Sequence, residues 1–392
     1  MKNGWPLVRL GELLAPVSRP ERVDREKTYC LLGAHWYATG LYTKEIVSGS
    51  EIRADKLYRV EDGDFVYNRL FAWKGSFALA TKENHGCYVS NEFPCFRVDP
   101  SRANGRFLWR YFSRTSSWDE ALGLSSGGTP TSRNRLKEAR FLAMKIPLPP
   151  LAEQGRVVAR IEELATQIHE ARDLRREATE EAEALVGGRS AELFRESSTK
   201  GTVPLESIAI LERGKFSHRP RNEPRFFGGA HPWIQIGEIE SAQKFIRGWI
   251  ETLNDDGLAI SKKFPRGTVL ISIAATIGAV GILNFDCCVP DSIVGVTPRD
   301  GTDSEFLYHF LRYLREHLEE IAPQSAQKNI NLQILSPLPV PKLALSEQRR
   351  IVAELDALQG RVDALKRLQA ETAAELDALL PSILDKAFKG EL

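Results

Sequence analysis

Apolar positions recur with the period of a long helix in two segments of the chain. In residues 157–185 they follow alternating steps of four and three, and eight of the nine positions are apolar. The same positions in residues 351–379 are apolar in seven of nine cases. This spacing predicts two coiled-coil helices, each with an apolar seam. The polar members Arg175 and Gln369 fall at equivalent points, where a polar layer fixes register at some cost in stability.

The two helical segments belong to a tandem duplication. Residues 145–194 align without a gap with residues 339–388, at a constant offset of 194 positions. Each copy opens with a Pro-rich segment, which prevents a helix from starting earlier. Gly187, Gly188 and Pro381 predict that each long helix breaks near its end, and that a short amphipathic helix follows and packs under a globular domain. The repeat therefore predicts two globular heads, each followed by a long helix.

The heads themselves predict a mixed α/β fold. Short apolar runs such as 64–67 and 268–272 lie between Gly, Asn and Asp turns and favour strands, whereas 107–113 and 306–318 favour helices. We place four domains along the chain: head 1 at residues 1–150, the first helical region at 151–200, head 2 at 201–345 and the second helical region at 346–392.

Chain connectivity predicts the direction of the long helices. The first leaves head 1 and enters head 2, so the second can cover the apolar seam of the first only by running back antiparallel to it. At about 1.5 Å per residue the seam spans roughly 42 Å, close to the ~34 to 36 Å of one DNA turn. We therefore expect two heads related by a pseudo-two-fold axis, about one helical turn apart. A helical hairpin that only joins two domains remains an alternative.

Composition narrows the class of protein. Hydrophobic residues make up 42% of the chain and charged residues 27%, as in ordinary soluble proteins. The five cysteines have no metal-ligand spacing, and we expect reduced, buried thiols. The start of the chain lacks an apolar leader and no long apolar run occurs, so we expect a cytoplasmic protein with no membrane partner. Phosphate loops, metal motifs and nucleophile elbows are absent from the sequence, which predicts a non-catalytic protein without a cofactor.

Positive charge is concentrated in head 1 and in one short segment of head 2. Residues 1–150 hold 23 basic and 16 acidic side chains, a net charge of +7, although the whole chain carries only +1. Nine basic and three acidic residues lie within 102–145, and five basic and one acidic residue lie within 213–225. Clusters of this kind are typical of surfaces that bind DNA phosphates. A merely solvated face is the alternative for either cluster.

Candidate DNA-binding residues share guanidinium, ammonium, amide or hydroxyl groups in loops of the heads. Asn and Gln can bond adenine in bidentate fashion and Arg can bond guanine. A helix-capping turn is the alternative for the loops that precede each Pro-rich segment. The candidates are Arg19, Arg22, Arg69, Lys74, Thr129, Thr131, Arg133, Asn134 and Arg135 in head 1, and Lys215, Ser217, His218, Arg219, Arg221, Gln327, Lys328 and Asn329 in head 2.

Several motifs together resemble one family. They are the doubled segment that runs from proline into Leu-x-Glu-Gln at 147–154 and at 341–348, the terminal residues 379–392, and residues 228–239 of head 2. With these motifs the chain resembles, over essentially its full length, the specificity subunit of type I restriction-modification systems. Head 1 departs from the pattern at 68–74 and at 133–135.

The resemblance implies a DNA-binding protein without catalytic activity. Each head would be a target-recognition domain that reads one half of a split target in double-stranded DNA. The helices would set the spacer and dock two methyltransferase (modification) subunits, and motor-nuclease (restriction) subunits would join for cleavage. A coiled-coil scaffold without DNA readout and a stand-alone DNA-modifying enzyme are the alternatives.

Overall fold

The computed structural model describes residues 4–127, 134–322 and 329–392. The chain divides into two compact units, one formed by residues 1–175 with 369–392 and the other by residues 176–368. Each unit combines one head with the adjoining part of both long helices. Within the described ranges, no helix is both long enough and apolar enough to cross a membrane. All five cysteines are free thiols.

The described residues of head 1, 4–127 and 134–150, form short strands and three short helices. Its strands are β1 Leu7–Arg9, β2 Leu14–Val17, β3 Pro20–Arg22, β4 Thr28–Ala34, β5 Leu41–Ser48, β6 Lys56–Arg59, β7 Asp64–Tyr67, β8 Phe77–Leu79, β9 Tyr88–Val89, β10 Cys95–Val98 and β11 Lys145–Pro147. Its helices are α1 Gly105–Tyr111, α2 Thr115–Leu124 and α3 Glu138–Ala143, with 3₁₀ turns at Leu10–Glu12, Trp36–Ala38, Gly49–Glu51, Ala72–Lys74 and Lys82–Asn84.

The strands of head 1 form two sheets and a closing ribbon. One sheet has the order β2-β10-β7-β8 and the other β3-β6-β9-β4-β5, in which only β4 and β9 are parallel. The ribbon pairs β1 with β11, so the Pro-rich segment returns to the start of the head. Pairing of its first and last strands closes the head immediately before the first long helix.

The first long helix, α4, extends over Leu151–Ser198 and leads into head 2. The strands of head 2 are β12 Thr202–Pro204, β13 Ala209–Arg213, β14 Phe227–Trp233, β15 Phe245–Ile246, β16 Glu251–Leu253, β17 Lys263–Phe264, β18 Val269–Ser272, β19 Val280–Leu283, β20 Cys287–Cys288, β21 Ile293–Pro298 and β22 Pro339–Pro341. Its helices are α5 Leu205–Ile208, α6 Ile236–Ser241, α7 Asp255–Ala259, α8 Ser304–Tyr313, α9 Arg315–Ile321 and α10 Leu332–Leu335, with a 3₁₀ turn at Pro224–Phe226. The second long helix, α11, extends over Leu345–Lys389.

Head 2 repeats the plan of head 1. Its sheets have the orders β13-β21-β18-β19-β15 and β16-β14-β20-β17, and its ribbon pairs β12 with β22. In the second sheet only β14 and β20 are parallel, as β4 and β9 are in head 1. The prediction of two mixed α/β heads attached to long helices is confirmed.

The core of each unit includes side chains from both long helices. In the first unit Phe388 of α11 lies 5.0 Å from Phe107 and 5.3 Å from Tyr111, measured between ring centroids. In the second unit the repeat-equivalent Phe194 of α4 lies 5.7 Å from Phe306 of α8. The predicted packing of the helix ends under the heads is therefore confirmed.

A buried glutamine at the start of α4 ties this helix to head 1. The Gln154 Oε1 atom accepts a hydrogen bond from the backbone N–H of Asn104 at 2.7 Å. Its Nε2 atom donates to the carbonyl of Arg102 at 3.0 Å and to that of Pro149 at 2.8 Å. Because Asn104 caps the N-terminus of α1, the start of the long helix is fixed against the start of a head helix.

The same arrangement recurs in head 2. The Gln348 Oε1 atom accepts from the backbone N–H of Asp303, the N-cap of α8, at 2.9 Å. Its Nε2 atom donates to the carbonyls of Gly301 at 3.1 Å and Leu343 at 3.0 Å. The duplicated Glu-Gln motif is thus a structural clamp between a head and its helix.

The long helices run antiparallel within each unit, as predicted. In the first unit Arg172 donates to Asp377 at 2.8 Å, and Gln369 donates to the backbone carbonyl of Arg175 at 3.0 Å. The Arg175 guanidinium in turn donates to Thr372 at 2.8 Å, so the predicted polar layer is present. In the second unit Arg189 of α4 pairs with Glu354 of α11, a contact that fits the same antiparallel arrangement of the two helices.

The predicted seam is wrong toward the end of each segment. Leu185 is 67% exposed and its repeat equivalent Leu379 is 44% exposed. Near the end of α4 the buried stripe instead passes through Val186, which is half-buried, and Ser190, which is buried. A straight helix has 3.6 residues per turn and drifts away from a strict seven-residue repeat, so the last predicted positions rotate out to solvent.

The predicted breaks in the long helices are also wrong. Helix α4 continues through Gly187 and Gly188, and α11 continues through Pro381. Proline inside a helix costs about 3 kcal/mol because a backbone hydrogen bond is lost. The residues beyond Pro381 offset this cost, since Leu384 and Phe388 are fully packed in the core of the first unit.

Candidate nucleic-acid interface

Each head has a cleft beside the parallel strand pair of its second sheet. In head 1 the pair brings Leu31 of β4 next to Tyr88 of β9, and in head 2 it brings Trp233 of β14 next to Cys288 of β20. The head 1 cleft has a volume of about 770 Å³ and the head 2 cleft about 1450 Å³. The duplication has therefore preserved the place of the cleft.

The loop that follows β18 forms one wall of the head 2 cleft. The buried Ser272 at the end of β18 accepts a hydrogen bond from the backbone N–H of Ala279 at 2.9 Å and donates to the carbonyl of Thr276. Within this loop Ala275 adopts φ 61°, a left-handed conformation that is uncommon for a residue with a Cβ atom. Ala274 and Ala275 both line the cleft.

Head 1 builds the corresponding loop with an asparagine. The Asn68 backbone N–H donates to the carbonyl of Ser76 at 3.0 Å, and its side-chain oxygen accepts from the N–H of Leu70 at 2.9 Å. Asn68 and Phe71 line the head 1 cleft at positions where head 2 has Ser272 and Ala275. The scaffold is shared, while the side chains that it presents differ.

The chain rejoins each head beside this loop. The backbone N–H of Leu136 donates to the carbonyl of Arg69 in head 1, and that of Ile330 donates to the carbonyl of Ile273 in head 2, both at 3.0 Å. This anchor brings Asn329 to the head 2 cleft, which it lines. The predicted correspondence between the two pre-proline loops therefore agrees with the backbone contacts.

Three arginines of head 2 converge on one aspartate. Arg219 donates to an oxygen of Asp291 at 3.0 Å, Arg221 donates to the other oxygen, and Arg213 donates to the Asp291 backbone carbonyl. One carboxylate cannot neutralise three guanidinium groups, so the cluster keeps a net positive charge. Arg213 and Arg221 line the cleft, where this charge favours phosphate binding.

The other head 2 candidates lie in the same segment. Lys215 and Ser217 are exposed, and their backbone N–H groups are fixed by hydrogen bonds of 3.1 Å to Val289 and Ile260. His218 is half-buried, with its ring 4.9 Å from that of Phe226. This contact favours a packing role for His218.

Sequence reasoning missed some of the lining of the head 2 cleft. Gln235 donates to Glu251 at 2.8 Å, and both line the cleft together with Arg213 and Asn222. Gln235 lies within the segment 228–239 that carries the family resemblance, so a signal was present. Glu251 and Asn222 have no comparable signal in the sequence.

Two head 1 candidates lie at and just before β3. The Arg19 guanidinium contacts Asp64 at 2.6 and 3.2 Å, and Asp64 is completely buried. This hydrogen bond raises the pKa of Arg19 above its ordinary value. The geometry favours a structural role for Arg19 over a DNA contact, whereas Arg22 is exposed on the edge strand β3.

Acidic partners also engage the other head 1 arginines. Arg69 donates to Glu138 and to the backbone carbonyl of Asn91. Arg135 is more exposed, and its guanidinium lies 2.6 Å from Glu92. Exposed ion pairs of this kind contribute little to stability and can exchange for phosphate contacts.

Aromatic rings dominate the head 1 cleft. The lining includes Trp36, Tyr37, Tyr42 and Phe71, together with Lys44. The ammonium group of the candidate Lys74 lies 3.7 Å from the centroid of the Trp36 ring. Sequence reasoning missed these rings because nothing in the sequence distinguishes them from aromatic residues of a core.

Five candidates, Thr129, Thr131, Arg133, Gln327 and Lys328, lie outside the described residues. Asn134 is described and is 8% exposed. The described candidates that line the two clefts are Arg221 and Asn329, and Lys74 reaches the edge of the head 1 cleft through Trp36.

Comparison with known proteins agrees with this duplicated plan. The family model described as the type I restriction modification DNA specificity domain matches residues 2–175 and 198–373. Among individual proteins, the specificity subunit of the type I restriction enzyme EcoBI from Escherichia coli is 25% identical over 423 residues, which cover 100% of this chain and 81% of that protein.

Solved structures show the same similarity over the whole chain. The HsdS subunit from Thermoanaerobacter tengcongensis is 27% identical, with a TM-score of 0.66 over 100% of this chain and 98% of that one. A chain from a structure on complex assembly and conformational transition of the type I R-M system is also 27% identical, with a TM-score of 0.77 over 100% and 99%. The chain belongs to the family of type I restriction-modification DNA specificity proteins.

Proposed function

We propose that each head of this specificity protein reads one half of a two-part target in double-stranded DNA. The observation that carries the proposal is the pair of clefts, which occupy the same place in two duplicated heads but present different side chains. Two readers with one scaffold and different linings suit an asymmetric target with two different halves.

The head 2 cleft has the chemistry for direct readout. Arg213 and Arg221 supply charge-assisted donors for phosphate oxygens or guanine. Gln235 and Asn329 supply amides, which can bond adenine in bidentate fashion. Lys215, Ser217 and Arg219 extend this surface beyond the cleft.

We further propose that the long helices set the spacer and dock two methyltransferase subunits, to which motor-nuclease subunits are added for cleavage. Each helix exposes leucines at repeat-equivalent positions, namely Leu174 and Leu368, and Leu185 and Leu379. Exposed leucines at equivalent places on both copies suit a partner that binds twice. In this proposal the chain supplies recognition and its partners supply catalysis.

The test is to express the chain with its candidate methyltransferase partner and to map methylated adenines. A gapped motif in which the spacer bases are free but the spacer length is fixed is the expected result. Binding should weaken steeply with salt, because phosphate contacts release counterions. A continuous motif would refute the two-headed proposal, and the absence of DNA affinity at low salt would favour a scaffold.

A further inference from the structure

The loop between β4 and β5 of head 1 carries two aromatic rings into solvent. Tyr37 is 63% exposed and Trp36 is 42% exposed, although both lie at the mouth of a cleft. Exposed aromatic rings that are grouped at a concave site, rather than scattered singly, mark binding surfaces. Neither ring belongs to the buried core cluster of head 1.

The backbone under these rings is held in a costly conformation. Tyr37 and Ala38 adopt φ values of 60° and 52°, so two consecutive residues with Cβ atoms are left-handed. The Ala38 N–H donates to the carbonyl of Gly75 at 2.6 Å, and the Ser76 hydroxyl donates to the carbonyl of Ala34 at 3.0 Å. These bonds to the neighbouring loop hold the strained turn, and strain held in this way is concentrated at functional sites.

The rings are also supported from behind. The Lys74 ammonium lies 3.7 Å from the centroid of the Trp36 ring, and the Trp118 ring lies 5.7 Å from that of Tyr37. Trp118 lies so close to Gly75 that a Cβ atom there would be 2.4 Å from it. Rigid support fixes the position of Tyr37 before any ligand arrives, which lowers the entropy cost of binding.

The contrast with head 2 indicates the ligand. At the same place in its fold, head 2 presents Arg221, Gln235 and Asn329, which are hydrogen-bonding groups suited to base edges and phosphates. Head 1 presents aromatic rings with Lys44 and Lys74 beside them, on a domain of net charge +7. Rings flanked by cations match stacked bases flanked by phosphates, and proteins that deform DNA insert apolar side chains between base pairs.

We propose that the Tyr37 ring, flanked by Trp36, inserts between two adjacent base pairs of the duplex. Head 1 would then read its half of the target partly through how easily that base step is deformed. This inference rests on the proposed function and specifies how one of the two heads carries it out. Flexible pyrimidine–purine steps are unstacked most easily, and they are the sequence class that such a wedge selects.

The experiment uses the full chain with its methyltransferase partner and duplexes that carry the mapped gapped motif. A 2-aminopurine is placed at each position of both halves in turn, and its fluorescence is measured with and without protein. Four proteins are compared: the unchanged chain, Tyr37→Gly, Tyr37→Phe and Ile46→Ala. Ile46 is the matched control, because it is exposed on β5 of the same head but does not line the cleft.

The expected result is a fluorescence increase at one step of one half-site that is lost in Tyr37→Gly but kept in Tyr37→Phe and Ile46→Ala. A methyltransferase extrudes its own target base, and that separate increase should persist in all four proteins. Tyr37→Gly should weaken DNA binding by about tenfold, as expected for one lost stacking contact. Its melting temperature should not fall, because glycine adopts φ 60° without strain.

Two results would overturn the inference while leaving the two-headed reader intact: DNA binding without any increase apart from that of the extruded base, or an increase that persists in Tyr37→Gly. Failure of the unchanged chain and its partner to bind the gapped duplex would instead overturn the proposed function, and the inference with it.

Discussion

Removal of the Gln348 clamp should destabilise the second unit strongly. The Gln348 side chain is 5% exposed and makes three hydrogen bonds to backbone groups, at 2.9, 3.1 and 3.0 Å. In Gln348→Ala, the N–H of Asp303 and the carbonyls of Gly301 and Leu343 lose this partner. With about 1 kcal/mol for each lost bond, we expect the free energy of unfolding to fall by about 3 kcal/mol.

Calorimetric unfolding of the full chain measures this effect. In a unit of this size a loss of 3 kcal/mol lowers the melting temperature by roughly 6–12 °C. Gln348→Met keeps most of the side-chain volume but none of the hydrogen bonds, so it separates their loss from the creation of a cavity. Gln154→Ala should have a similar effect on the first unit, because Gln154 makes the equivalent three bonds.

Gln167→Ala is the matched control, since Gln167 lies on the same long helix as Gln154 but is exposed. It should change the free energy of unfolding by less than about 0.5 kcal/mol. If Gln348→Ala and Gln154→Ala were as mild as this control, the duplicated motif would have no clamping role and another reason for its repetition would be required.

Three further perturbations test other contacts. Arg19→Ala should cost about 3 kcal/mol in thermal unfolding because the buried Asp64 carboxylate loses its nearest cationic partner and keeps the more distant Arg97 guanidinium, at 3.8 Å; a stable variant with weakened DNA binding would refute this structural role. Replacement of both Arg175 and Gln369 by leucine should raise the melting temperature, and the complex should then methylate targets with a wider range of spacer lengths. An unchanged spacer length would show that the polar layer does not fix register. Burial lowers the pKa of His309, so the unfolded chain binds this proton more tightly and the free energy of unfolding should fall as pH drops below about 6.5. In His309→Gln the free energy of unfolding should depend less on pH between about 5 and 7. An equal pH dependence in the two proteins would contradict the assignment.

The sequence predicted those features that repeat along the chain. The 194-residue offset, the apolar period and the Pro-rich segments are local patterns, and they were sufficient for two mixed heads and two antiparallel helices. The end of each seam was misplaced because a strict heptad repeat was assumed. Leu185 matches the spacing of that repeat in the sequence, but in a helix of 3.6 residues per turn it faces solvent.

The candidate site was harder to predict because it depends on contacts between distant residues. Arg19 looks like a phosphate ligand in the sequence, yet its partner Asp64 lies 45 positions away. Arg69 and Glu138 are separated by 69 positions. Tyr37 and Trp36 carried no signal in the sequence, since aromatic residues that follow a strand usually belong to the core and these two do not. Pairing and exposure both depend on tertiary structure.

The duplication has preserved some features in both copies and not others. Contacts that attach a head to the long helices recur almost atom for atom, as Gln154 and Gln348 show. The clefts recur in place but not in chemistry, with aromatic rings in head 1 and guanidinium and amide groups in head 2. An attachment must satisfy the same helix geometry in both copies, whereas a cleft must fit only its own ligand. Two heads that read identical sequences would need matching clefts, so the divergence of the linings favours a target with two different halves.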